Sequence, residues 1–122
     1  MPECFEQWLD PVLENGIPND AAALNFNIYE DTDKKWSVEA VGTSSFDEND
    51  DDWDCDEITD FGTRENPFSW QEDTVWEKVL SEVKDMVWSY LEEGKNSCRL
   101  QDMKAVACGF VDGNPEILYR KK

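Results

Sequence analysis

The chain has 122 residues, with 29 acidic against 11 basic, no histidine, and a formal net charge of −18. That sign argues against direct binding of nucleic acid or anionic lipid, whose phosphates it repels. The lack of histidine removes the commonest general base, the Ser-His and Cys-His pairs and every imidazole metal site.

The length suits one domain over residues 1–122. Mean hydropathy is low at −0.72, but the chain is 12% aromatic with six tryptophans, which marks a folded domain with a charged exterior. No segment approaches the roughly 18 apolar residues of a transmembrane helix. The opening MPECFEQWLDPVLENG has acids where a signal peptide carries positive charge, so a cytoplasmic location is expected. Cys4, Cys55, Cys98 and Cys108 are scattered and are expected as reduced thiols.

Phe5, Trp8, Leu9, Val12 and Leu13 recur at helical spacing; Pro11 interrupts that pattern and Gly16 is placed to stop it. From Leu24 the period changes to two. Leu24, Phe26 and Ile28 alternate with Asn25, Asn27 and Tyr29, and beyond a turn at Glu30–Asp33 the residues Trp36, Val38 and Ala40 alternate with Ser37 and Glu39, which predicts a β-hairpin over 24–42. Residues 44–52 read as a charged loop, and a weaker alternation from Trp53 predicts a third strand ending near Phe61.

The segment FGTRENPFSW carries the breakers Gly62, Asn66 and Pro67 and ends in Ser69, which with Glu72 forms the S-x-x-E pattern of a capping box. A helix is predicted from there to Gly94, with Val75, Trp76, Val79, Leu80, Val83, Val87, Tyr90 and Leu91 on its apolar stripe. Trp36, Trp76 and Trp88 are expected in the core. Asp112-Gly113 supplies the turn of a second hairpin, and Pro115 pushes the last strand, Glu116–Tyr119, toward an edge. The order helix, three strands, helix, two strands predicts an α+β domain: an antiparallel or mixed sheet of about five strands with two helices packed on one face.

The sequence carries no recognisable catalytic motif. Cys55 lies among carboxylates, which disfavour thiolate, and Cys108 lies in the apolar run AVACGFV. A calcium loop starting at Asp47 would place Asn49 and Asp51 correctly, but Asp52 occupies the glycine position and Ile58 that of the bidentate glutamate. Glu82-Val83-Lys84 falls inside the predicted helix, where a nuclease signature would need a strand. With 29 acids, carboxylate pairs occur at every spacing. No catalytic, cofactor-binding or metal-ligating residue is assigned, and no cofactor is expected.

The remaining anomaly is SSFDENDDDWDCDEITD, in which Asp47, Glu48, Asp50, Asp51, Asp52, Asp54, Asp56, Glu57 and Asp60 have no basic residue among them. Those nine carboxylates carry half of the net charge. Trp53 is embedded in the run and Trp70 follows it. Acids around an aromatic anchor match an interface for a basic protein, because charge speeds encounter and a buried indole supplies affinity. The eleven residues named here are the candidate partner-binding set.

In size, charge, lack of catalytic groups and α+β pattern, the chain resembles the small acidic immunity proteins with which bacteria neutralise polymorphic or contact-dependent toxins. The resemblance implies a cytoplasmic inhibitor that occludes the active site of a basic toxin domain, a nuclease above all, with Asp50, Asp51, Asp52, Asp54 and Asp56 facing its lysines and arginines. Two other readings fit the same run. One is a DNA mimic that blocks a DNA-binding protein; the other is a carboxylate-based, metal-dependent hydrolase.

Overall fold

A computed structural model of the chain describes residues 5–14, 21–43, 57–62, 68–110 and 116–120. The alternation seen in the sequence forms strands β1 (Ala23–Glu30) and β2 (Lys35–Thr43), paired antiparallel from Ala23↔Thr43 to Glu30↔Trp36. Between them lies a short 3-10 turn, Thr32–Lys34, in which Asp33 and Lys34 both adopt positive φ, 59° and 60°. Left-handed backbone is unfavourable for residues with a Cβ. Here it is held from outside: Gln71 Nε2 donates to the Asp33 carbonyl at 3.1 Å, and the Glu72 amide to that of Lys34 at 3.0 Å.

Strands β3 (Glu57–Gly62) and β4 (Phe68–Gln71) both pair antiparallel with β2, β3 along its C-terminal end and β4 along its N-terminal half. Helix α2 (Trp76–Glu93) and the short α3 (Ser97–Gln101) lead to β5 (Ala105–Phe110), which runs parallel to β1 and antiparallel to β6 (Glu116–Arg120). The sheet is therefore mixed, in the order β3-β2-β1-β5-β6 with β4 also on β2, and β6 is an edge strand as the sequence predicts. The turn Asp112-Gly113 lies outside the described residues.

Helix α1 (Phe5–Glu14) continues through Pro11 and buries Phe5, Leu9 and Leu13. It shares one apolar cluster with Val79, Val83, Val87, Tyr90 and Leu91 of α2 and with Leu24, Phe26, Ile28, Trp36, Val38, Val106 and Cys108 of the sheet. Leu24↔Val106, Phe26↔Cys108 and Ile28↔Val38 are register partners and Trp36 lies two residues before Val38 on β2, so both helices cover the same face. The domain is α+β with a mixed sheet and two helices on one side of it.

One local expectation is corrected. Ser69 caps no helix; it pairs with Ser37 inside β4, and α2 begins at Trp76 without a side-chain cap. A cap contributes about 1 kcal/mol, whereas β4 brings Phe68 and Trp70 opposite Val38 and Trp36 and buries Phe68 to 7% exposure, which outweighs it at roughly 25 cal/mol per Å² of apolar surface. Gly94 ends α2 as expected, in extended backbone with φ −65° and ψ 149°. Its smallness is needed: a Cβ there would lie 2.6 Å from the Tyr90 ring.

The tryptophans divide. Trp36 is buried at 1% exposure as expected, but Trp76 and Trp88 are exposed at 53% and 44%. At about 100° per residue, Trp88 stands about 180° from Val79, on the side of α2 away from the sheet. Trp76 lies near the buried stripe but in the first turn, where its ring meets Phe110 edge-on at 5.8 Å.

Candidate functional site

Residues 44–56, with Asp47, Glu48, Asp50, Asp51, Asp52, Trp53, Asp54 and Asp56, lie outside the described residues. Their flanks are described. Thr43 and Glu57 are direct cross-strand partners, so the segment leaves and re-enters the sheet at one rung. Glu57 and Asp60 belong to β3 itself, the edge strand on β2. Acidic residues on an edge strand oppose pairing with another sheet.

Trp70 sits elsewhere. It pairs with Trp36 at the opposite end of β2 from Thr43, about 23 Å away along the strand at roughly 3.3 Å per residue. Its ring is half-buried against Phe68 at 5.6 Å, and its Nε1 donates to Glu72 Oε1 at 3.2 Å. The structure does not bring Trp70 to the base of the acidic run.

Around Trp70 a second set of groups gathers. Lys78 Nζ lies 3.7 Å from Glu72 Oε2 and 3.9 Å from Glu82 Oε1, and the Glu72 carbonyl accepts the Trp36 indole N–H at 2.9 Å. Burial pushes the Glu82 carboxyl up, and the neighbouring Glu72 pushes it further through a shared hydrogen bond and like charge. Burial also acts upward on Glu72, but the hydrogen bonds from Glu82 and the Trp70 indole prevail and hold it below the usual carboxylate range. The two carboxyls are thus pushed in opposite directions, Glu82 up and Glu72 down. The pair ties the loop after β4 to the second turn of α2.

A third set occupies the face of the sheet that the helices leave free. Asn25 Nδ2 donates to Asn27 Oδ1 at 2.8 Å; Asn27 Nδ2 donates to Glu39 Oε1 at 3.3 Å; the Tyr29 hydroxyl donates to the same oxygen at 2.5 Å. Asn25, Asn27 and Glu39 are 3%, 8% and 2% exposed. Asn27 and Glu39 are register partners, so the bond is a cross-strand pair built into the hairpin. Because a carboxylate accepts only, Asn27 must turn its amide nitrogen to Glu39 and its oxygen to Asn25, and the chain of donors has one direction. The sequence signal for this set is present in the alternation of Asn25, Asn27 and Tyr29 against Ser37 and Glu39, which reads equally well as a solvated face.

Among the described residues no three Cys, Asp or Glu side chains gather where a metal ion could be held, and no helix is long and apolar enough to cross a membrane. Cys98 and Cys108 are free thiols; burial, with the nearby Glu116 carboxylate, pushes Cys108 up to about 12, which leaves it an unreactive thiol at neutral pH. Comparison with protein-family models, with curated proteins and with solved structures found no match.

Proposed function

We propose that this chain is an acidic inhibitor of the immunity type, which binds a basic toxin domain with nuclease activity and neutralises it by electrostatic and steric occlusion of the active site. One observation carries the reading: nine carboxylates between Asp47 and Asp60 with no basic residue among them. Crowding like charges costs the folded state energy, and attraction of an oppositely charged surface is the function that recovers it. Support comes from the rung Thr43↔Glu57, which pairs the residues on either side of segment 44–56, and from β3, which carries Glu57 and Asp60. In this reading the protein works in the cytoplasm as a binding module.

The test is the association rate of the purified chain with a basic nuclease toxin domain, sought first among the products of neighbouring genes, followed across salt concentration. Exposed attraction is screened over about 8 Å at physiological ionic strength, so the rate is expected to fall by ten-fold or more between low salt and 0.5 M. A rate insensitive to salt overturns electrostatic capture. Equal binding to several unrelated DNA-binding proteins would indicate a DNA mimic in its place.

A further inference from the structure

Trp88, expected in the core, projects from the outward side of α2 at 44% exposure, and Glu77, Ser81, Lys84, Asp85 and Glu92 share that side at helical spacing. A large exposed indole in mid-helix leaves apolar surface in water. Its charged neighbours are almost all of one sign. Lys84, the single cation, is taken up by Glu116 at 2.9 Å, while Glu77, Asp85 and Glu92 form no ion pair among the described residues.

We propose that this side of α2 is a contact surface for arginine side chains of a basic protein partner, with the Trp88 indole as the platform and Asp85 and Glu92 as the counter-charges. The inference rests on the inhibitor reading for the sign of the partner and adds where it is gripped and by which chemistry. Asp85 and Glu92 stand three residues before and four after Trp88, one helical turn to either side, within reach of a guanidinium laid on the indole. Arginine fits better than lysine: its planar, weakly hydrated guanidinium stacks on an aromatic face and still presents N–H groups at its edge to a carboxylate, whereas an ammonium does one or the other. The surface belongs to a packed helix, since Val83, Val87 and Leu91 of the same turns are buried, so little order has to be acquired on binding.

The probe is fluorescein-labelled octa-arginine, with octa-lysine of equal charge as comparison, titrated by anisotropy into the full chain at fixed salt. Wild type is expected to prefer octa-arginine. Trp88→Ser should weaken octa-arginine binding about two- to five-fold, the measure of one exposed cation–π contact, and abolish the preference over octa-lysine. Asp85→Asn with Glu92→Gln should weaken both peptides. Trp88 is exposed, so far-ultraviolet circular dichroism should be unchanged in both variants. Wild-type binding and an arginine preference that survive Trp88→Ser would overturn this surface while leaving the inhibitor reading standing. Failure of wild type to bind either peptide would overturn both. A wild-type dimer that Trp88→Ser dissociates in sedimentation velocity would also overturn the proposal, because the face would then be covered by a second copy.

Discussion

The two faces of the hairpin β1–β2 are both buried, yet by different means. On one, Leu24, Phe26, Ile28, Trp36 and Val38 meet the helices in a continuous apolar cluster. On the other, Asn25, Asn27 and Glu39 are as deeply covered and are joined by directed hydrogen bonds. Apolar contact is non-directional and tolerates several packings, whereas a chain of amides ending on a carboxylate accepts one register only. A strand slip of one residue would exchange the faces, setting amides against the helices. A slip of two residues would keep the faces but part Asn27 from Glu39, and that is the misalignment the polar pair opposes.

The largest expected effect lies on the apolar side. Phe26→Ala removes a fully buried ring that meets Phe5 at 6.0 Å and should cost about 3–5 kcal/mol, read as a fall in the urea midpoint with unchanged slope. A cost near 1 kcal/mol would mean that this cluster is loosely packed and that the contrast between the faces is weaker than drawn.

A smaller effect is expected from Glu39→Leu, which removes the acceptor of the buried Asn27 amide and one partner of the Tyr29 hydroxyl. A buried donor left unsatisfied costs about 1–3 kcal/mol. Glu39→Gln, whose side-chain oxygen still accepts, should recover much of the loss. If Glu39→Leu proved neutral or stabilising in the same urea experiment, the second face would be held by packing, and hydrogen bonding would not be what aligns the hairpin.

How much of this is legible in the sequence follows from what periodicity reports. Period two located β1 and β2 because each apolar residue alternates with a polar one, and the helical stripe from Val79 to Leu91 located α2. Periodicity tells which residues share a side and is silent on whether that side is covered, so Asn25, Asn27 and Glu39 read as solvated. Trp88 was misjudged for the converse reason: its residue type suggested burial, although its angle from Val79 already placed it outward. Ser69 and Glu72 satisfied a local capping pattern that the pairing of β4 with β2 overrode, a non-local contact that no window of residues contains. The acidic run was the plainest signal of all, and only its base, Thr43 and Glu57, and its continuation along β3 are placed by the fold.

The apolar side also carries polar links, and the one at Tyr90 gives the smallest and sharpest test. Tyr90 is fully buried among Val79, Val83 and Val87, but its hydroxyl reaches the rim, donating to Asp10 Oδ1 at 2.5 Å and accepting from the Asn96 amide at 3.3 Å. Burial, reinforced by the Asp10 hydrogen bond, pushes it up from 10.0 to about 12. A raised value means that the neutral hydroxyl stabilises the fold: the contribution is complete below pH 10 and is lost as pH rises toward 12. Tyr90→Phe should therefore cost about 1 kcal/mol at pH 7, and the gap should narrow from pH 10 upward because phenylalanine has nothing to ionise. Cys108 and the lysines titrate in both proteins and cancel in the difference. Urea unfolding of the pair between pH 7 and pH 11 measures it, and a gap that stays constant across that range would show that the hydroxyl is solvated and that the Tyr90–Asp10 link contributes nothing to the apolar side.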